Sequence, residues 1–380
     1  MISSLNLKVN SYQSSCLCFY VIESKISQLY AVRVITLRVD VCNAQAAVPA
    51  LYMLGDSLVD VGNNNYLPRS TAKANHPHNG IDYPNKKSTG RFSNGENAAD
   101  FIAKKIGLQT SPPYLSLKQG ETPPITGVSF ASGGSGILNE TGQNHVEYIS
   151  LARQVDYFSM IHDKLVQQLG ASASKTHLSK SIFTIVSGNN DLFAYFSVGS
   201  SINKASTPQQ YIERMLSSYK GLLKKLYGLG ARKIVVAGVA ALGCCPSERK
   251  TDKTGECNVT INNWTTKYND GLKIMLQKLK SESAGLNFAY FDIYRAMSNL
   301  FRGDKSYGFM NIKEACCGIG NLNADAPCMP TSSCCPVRKT HIFWDLVHPT
   351  EAVVRIFSDI IFNGTQEYMV PINLKQLIVI

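Results

Sequence analysis

The sequence has no dense run of lysine or arginine, no internal repeat and, beyond its first 46 residues, no apolar stretch long enough to cross a membrane. Charged residues make up only 17% of the 380 residues, and the formal net charge of +11 is spread along the chain. We therefore predict no transmembrane segment and no nucleic-acid partner. The diffuse positive charge favours acidic surfaces such as cell-wall polysaccharide.

The chain also lacks a C-x-x-C pair, although it has eleven cysteines. Three of them lie in the first 43 residues, and the other eight are clustered further along. An even, clustered set is typical of disulfides formed in an oxidising compartment. Zinc is the alternative for the last cluster, residues 316–335, but adjacent cysteines without a C-x-x-C spacing fit zinc poorly. The sequence leaves the disulfide pairing open.

Apolar residues make up 44% of the chain, enough to bury a sizeable core. Apolar runs typical of buried strands alternate with stretches of helical spacing, which predicts an α/β domain with a parallel sheet and right-handed crossovers. No linker interrupts residues 47–380, so we predict one domain there. The predicted strands are 50–54, a short one within 126–137, 181–187, 233–240 and 287–294, and the predicted helices are 96–106, 146–169, 208–229, 261–279 and finally 351–362.

Residues 1–46 are predicted to be a signal peptide with a small-residue cleavage site at 44–46. The apolar core at 14–22 is short, and Arg33, Arg38 and Asp40 interrupt the stretch that follows it. An atypical N-terminal segment is therefore the alternative.

Four Asn-x-Ser/Thr sequences are candidate N-glycosylation sites, at Asn139, Asn258, Asn263 and Asn363. Together with the cysteines they indicate the secretory route. We predict a secreted protein of the extracellular space or cell wall.

Ser57 is the first candidate catalytic residue. The apolar run 50–54 ends at Gly55-Asp56-Ser57, and ligands bind at the carboxyl ends of strands in an open parallel sheet. We expect an exposed Ser57 hydroxyl and a Ser57 amide near the start of a helix, where free N–H groups stabilise negative charge. The alternative is a turn that Asp56 or Ser57 caps.

Polar residues follow other predicted strands and the last loop. Asp345 and His348 lie three residues apart before a predicted helix, and Asn190 and a Gly133-Gly134 loop follow two strands. Acyl transfer to serine needs a base, an acid residue that orients it, and donors for the oxyanion. The alternatives are that Asp345 is a cap, His348 a surface histidine, Asn190 a turn residue and the glycines a tight turn.

Four ordered blocks resemble the plant branch of the GDSL esterase/lipase family, within the SGNH hydrolases. They are GDSL at 55–58, FASGGSG at 130–136, GNND at 188–191 and DLVHPT at 345–350. The segments GRFSNG at 90–95 and ACCG at 315–318 are also similar to this branch. The resemblance extends from about Val48 to the helix predicted after residue 350. Cys245 and the doubled Cys334-Cys335 depart from the pattern.

The resemblance implies Ser57 as nucleophile, His348 as general base and Asp345 as the residue that orients it. It implies an oxyanion hole made of the Ser57 N–H, a second-block glycine N–H and the Asn190 side chain, and we favour Gly134 over Gly133 as that glycine. The implied fold has three layers, with a parallel sheet of about five strands between helices and a shallow, open site. The resemblance also implies that no metal or organic cofactor is needed.

These expectations predict a secreted serine hydrolase that cleaves carboxylic esters through an acyl-serine intermediate. An acyltransferase using the same residues is one alternative, and a non-catalytic cell-wall protein that binds an ester or glycan is another. The predicted substrate is a small-molecule, lipid or polymer ester. The sequence leaves the acyl-chain preference and the oligomeric state open.

Overall fold

The central sheet is made of short strands that are buried almost throughout. β1 (Leu51–Gly55) and β2 (Ile182–Val186) are buried at every position, and β3 (Lys233–Ala237) and β4 (Asn287–Phe291) at all but the first. Strands covered on both faces form continuous apolar runs, which is why the sequence shows them clearly. The sheet order is β1-β2-β3-β4-β9, and β9 (Met369–Val370) is antiparallel to β4.

The structure is a computed structural model that describes residues 46–118, 120–302 and 307–380. Ala46–Ile380 form one compact unit. The prediction for residues 1–46 therefore lies outside the described residues, except for Ala46. No helix in the described ranges is both long and apolar enough to span a bilayer.

Helices cover the sheet in two groups. α2 (Leu151–Leu169), α6 (Pro208–Gly228) and α8 (Val259–Glu282) pack on one another and against the sheet, while α10 (Glu351–Asn363) packs between α1 (Ala98–Lys105) and α11 (Leu374–Val379). This confirms the predicted α/β fold with a sheet of five strands flanked by helices. The shorter helices are α3 (Ala171–Lys180), α4 (Asn189–Phe196), α5 (Ile202–Ala205), α7 (Pro246–Arg249) and α9 (Ile293–Phe301).

The helix after residue 350 is not the last one, contrary to the prediction. α11 follows it, and its two buried leucines, Leu374 and Leu377, pack into the core. Asn373 and Gln376 form a capping box that starts this helix. Its six residues are too few to show a helical period in the sequence.

The strand predicted within 126–137 is present only in part. Met53 N donates to Val128 O at 3.2 Å and Phe130 N donates to Met53 O at 2.7 Å, so this segment runs parallel to the free edge of β1. Leu51 N also donates to Thr126 O and Ser132 N to Gly55 O, both at 3.0 Å. The ladder is incomplete because the Gln154 side chain accepts the Gly55 N–H and the Ser111 hydroxyl donates to the Leu51 carbonyl.

The cysteine-rich loop carries four short strands, β5 (Asn311–Ala315), β6 (Cys317–Gly318), β7 (Ser333–Cys334) and β8 (His341–Phe343). Disulfides join Cys316 to Cys335 and Cys317 to Cys328, and a third joins Cys244 to Cys257. The disulfide prediction is confirmed for these six residues. The zinc alternative for the last cluster is wrong, because Cys334 is its only thiol outside a disulfide in the described chain.

The candidate glycosylation sites differ in exposure. Asn139, Asn263 and Asn363 are exposed. Asn258 is half-buried, and its side chain accepts a hydrogen bond from Ile261 N at 3.3 Å as the N-cap of α8. The side chain of Asn258 is therefore the least available of the four.

Candidate active site

Ser57 lies one residue after Asp56 in a turn that follows β1. The turn is possible because Gly55 has a φ of +137°, and a Cβ there would overlap the Val186 carbonyl. Asp56 Oδ1 accepts a hydrogen bond from Leu58 N at 3.0 Å. Asp56 therefore caps the turn, which was the alternative to a catalytic role for this segment. Only 8% of the Ser57 surface is exposed, so its hydroxyl is more covered than predicted.

No helix begins at Ser57, contrary to the prediction. The Asp60 carboxylate accepts hydrogen bonds from Gly62 N at 2.7 Å and Asn63 N at 2.8 Å, which turns the chain before a helix can form. The residues that follow form a short 3₁₀ helix, Asn63–Tyr66, and the first α-helix after the turn is α1. The Ser57 N–H therefore belongs to a turn and not to a helix end.

The structure brings His348 against Ser57, 291 positions away in the chain. His348 Nε2 lies 2.7 Å from Ser57 Oγ, and His348 Nδ1 lies 2.8 Å from Asp345 Oδ2. Asp345 Oδ1 also accepts the backbone N–H groups of Val347 and His348, at 3.0 and 2.8 Å. Only 12% of the His348 side chain is exposed, so the surface-histidine alternative is wrong.

The electrostatics of this cluster favour an ionised Asp345 beside a basic His348. Burial alone would raise the pKa of Asp345, but the neighbouring His348 and the hydrogen bonds to its carboxylate hold that pKa below its ordinary value. Burial alone would lower the pKa of His348, but the Asp345 carboxylate, with a contribution from Asp56, raises it above its ordinary value. Such a histidine can accept a proton from Ser57 and hold it.

In the second block, the two adjacent glycines differ in whether their N–H groups are occupied. Gly133 N donates to Asp60 Oδ2 at 3.0 Å and is therefore occupied. The N–H groups of Ser57 and Gly134 donate to no residue in the described parts of the chain. Asn190 Nδ2 donates to Ser135 O at 2.8 Å, which leaves its second N–H available.

Two asparagines that the sequence analysis did not assign support the glycine loop. Asn63 Nδ2 donates to the carbonyls of Ser129 and Ala131, at 2.9 and 2.8 Å. Asn64 Nδ2 donates to Gly133 O at 3.0 Å, and its Oδ1 accepts the Ser132 hydroxyl at 2.6 Å. The run of three asparagines after Gly62 was the available signal, since buried amides are expected to bind backbone.

Phe92, in the GRFSNG segment, contacts both His348 and the glycine loop of the second block. Its ring centroid lies 5.1 Å from that of His348. A Cβ on Gly133 would come within 2.5 Å of the Phe92 ring, so glycine is needed there. The ring therefore packs between the histidine and the loop that carries Gly134.

A narrow cleft of about 40 Å³ opens beside Ser57 and His348. Its polar lining is confined to the Ser57 end, where Asp56, Asn189 and Asn190 lie. The rest of the lining is mostly apolar: Leu58, Phe193, Ala240, Leu242, Cys245, Ile293, Met297, Val347, Pro349 and Phe357.

The fold and these residues define an α/β enzyme with a serine, a histidine and a carboxylate linked by hydrogen bonds at the carboxyl edge of its sheet. A family model described as GDSL-like Lipase/Acylhydrolase matches residues 51–361. The chain belongs to this family, and it is a carboxylic ester hydrolase.

The similar proteins cover nearly the whole chain. One GDSL esterase/lipase of Arabidopsis thaliana is 47% identical over 343 residues, which cover 88% of this chain and 90% of that protein. A second is 36% identical over 345 residues, covering 89% and 93%. Among solved structures, the acetylxylan esterase Axe2 of Geobacillus stearothermophilus is 12% identical, with 82% and 91% covered and a TM-score of 0.36, which is too remote to bear on the substrate.

Proposed function

We propose that Ser57, His348 and Asp345 act as the catalytic triad of a serine esterase. The observation that carries this proposal is the unbroken hydrogen-bonded sequence from the Asp345 carboxylate through His348 to the Ser57 hydroxyl. A non-catalytic binding protein has no need of a buried carboxylate that holds a histidine against a serine.

Acylation of the enzyme begins when Ser57 Oγ attacks the ester carbonyl and His348 Nε2 takes its proton. Asp345 keeps the other ring proton on Nδ1, so that Nε2 is the acceptor, and it stabilises the imidazolium. The N–H groups of Ser57 and Gly134 and the second N–H of Asn190 would bind the oxyanion. His348 then gives its proton to the leaving alcohol, and the acyl group stays on Ser57.

Deacylation repeats these steps with water. His348 takes a proton from a water molecule, and the resulting hydroxide attacks the acyl carbonyl. The bond to Ser57 Oγ then breaks, the carboxylic acid leaves, and His348 returns the proton to Ser57. One water is consumed and one ester bond is cleaved in each cycle.

We also propose that the enzyme is secreted and acts on small-molecule or lipid-type esters. The three disulfides support passage through an oxidising compartment, and three exposed candidate glycosylation sites agree with it. Detection of the protein in the culture medium, with glycan on Asn139, Asn263 or Asn363, would test this.

Covalent labelling tests the acyl-serine step. A fluorophosphonate should modify the purified protein once, and peptide mass spectrometry should find the adduct on Ser57. Modification and loss of p-nitrophenyl ester hydrolysis should proceed at the same rate. A folded protein that takes up no label, or takes it up on another serine, would count against the proposed mechanism.

The pH dependence follows from the raised pKa of His348. The base must be neutral, so kcat/KM should fall as the pH decreases through the pKa of His348 in the free enzyme. Because the Asp345 carboxylate raises that pKa, the midpoint of the acid limb should lie above the ordinary value of 6.5. Initial rates between about pH 4 and 9 measure it, and a midpoint below 6.5 would contradict the assignment.

A further inference from the structure

The apolar cleft runs along the carboxyl edge of the sheet, away from Ser57. Leu58 follows β1, Phe193 lies on α4 after β2, Leu242 follows β3, and Met297 lies on α9 after β4. Neighbouring strands are about 4.8 Å apart, so β1 and β4 are about 14 Å apart. Met297 therefore lies towards the end of the cleft that is remote from Ser57.

The free space in this cleft is much smaller than its length suggests. Its volume is about 40 Å³, which is small beside the roughly 300–1,000 Å³ of typical ligand pockets. The space therefore suits a short chain and not a long one. Side chains fill the remainder, and Met297 and Cys245 are only 3% and 2% exposed.

We propose that this cleft is the acyl-binding site and that it selects short acyl chains of two to about four carbons, with Met297 limiting the length. This inference rests on the proposed function, because it assumes that the acyl group is attached to Ser57. The acyl group remains in the site after the alcohol has left, so a narrow apolar cleft beside the nucleophile suits it. The few polar groups at the Ser57 end would meet the carbonyl, and the apolar walls would meet the chain.

The wild-type enzyme provides the first test. Its kcat/KM should be measured on p-nitrophenyl acetate, butyrate and octanoate, with the ester below its solubility limit. Each methylene that fits should raise kcat/KM about fourfold. The value should then fall by at least about tenfold from butyrate to octanoate, since a chain that exceeds the space must displace packed side chains.

Substitution of Met297 provides the second test. Met297→Ala should raise the ratio of the octanoate to the acetate kcat/KM about fivefold to tenfold. Met297→Leu, which keeps the volume, should leave that ratio near the wild-type value. Met275→Ala is the matched control, because Met275 is a buried methionine on α8 outside the cleft and its loss should leave the ratio unchanged.

A complementary series assigns the cleft to the acyl side or the alcohol side of the ester. Acetate esters of ethanol, butanol and octanol should differ in kcat/KM less than tenfold. If the rate follows the alcohol length and ignores the acyl length, the cleft holds the alcohol and our inference is wrong.

The possible failures are distinguishable. An active enzyme with a flat profile, or one that prefers octanoate, would overturn the acyl-length inference and leave the proposed function standing. A folded protein that hydrolyses none of these esters and takes up no fluorophosphonate would overturn both. If Met297→Ala fails to fold, the wild-type profile by itself still decides the inference.

Discussion

Replacement of Ser57 by alanine is expected to lower kcat/KM for p-nitrophenyl butyrate by about 10⁴-fold to 10⁶-fold. On the proposed mechanism, the substitution removes the atom that forms the acyl intermediate, and a triad acts as a unit, so His348 and Asp345 cannot compensate. The remaining activity should come from substrate binding and the oxyanion donors alone. The measurement is the initial rate at several substrate concentrations, made on protein whose melting temperature matches that of the wild type.

Ser358→Ala is the matched control for this substitution. Ser358 is another buried serine, and its hydroxyl has no hydrogen-bond partner in the described parts of the chain. Its replacement should leave kcat/KM within about twofold. If Ser57→Ala retains more than about a tenth of the wild-type activity, Ser57 is not the nucleophile.

Asp345→Asn is expected to lower kcat by about 10³-fold to 10⁴-fold, with a much smaller change in KM. An amide in this position can donate to His348 Nδ1, which favours the tautomer whose proton is on Nε2 and faces Ser57. That tautomer cannot accept the serine proton. Steady-state kinetics on p-nitrophenyl butyrate measure the effect.

The same variant gives a second readout in its pH profile. Loss of the carboxylate removes a charge that raises the pKa of His348, so the acid limb of the remaining activity should move to lower pH. Asp359→Asn, on the exposed side of α10, controls for the change of charge and should alter neither kcat nor the profile. A purely structural role for Asp345 would lower activity and leave the acid limb in place.

The parts of the fold that the sequence predicts well are those where one local signal is strong. β1 to β4 are continuous apolar runs because helices cover both faces of the sheet, and Thr207 with Pro208 marks the start of α6 clearly. Ser57, Asn190 and the Asp345–His348 pair were predicted because each follows a strand or precedes a helix. The prediction that these residues come together in one site relied on the family resemblance, because no local signal in the sequence links residues 57 and 348.

Two features that the sequence did not predict depend on polar side chains that bind the backbone. The incomplete strand beside β1 results from the side chain of Gln154, which is 99 residues from Gly55. The absence of a helix after Ser57 results from Asp60, whose carboxylate binds the turn and also Gly133. Neither contact leaves a period or a composition change in the sequence.

The eight clustered cysteines show the same limit. Their even number suggested complete pairing, yet Cys245 and Cys334 are thiols in the structure. Cys245 and the doubled pair Cys334-Cys335 are the places where the cysteines depart from the family pattern. The count alone could not separate the two thiols from their neighbours Cys244 and Cys335, which do form disulfides.

The distance in the chain between Ser57 and His348 has a consequence during protein synthesis. The proposed nucleophile is translated early, but the histidine and its carboxylate emerge from the ribosome only when nine-tenths of the chain is complete. On the proposed mechanism, no nascent fragment can hydrolyse an ester before residue 348 has folded against β1. On that mechanism, the activity arises only after almost the whole chain has been made.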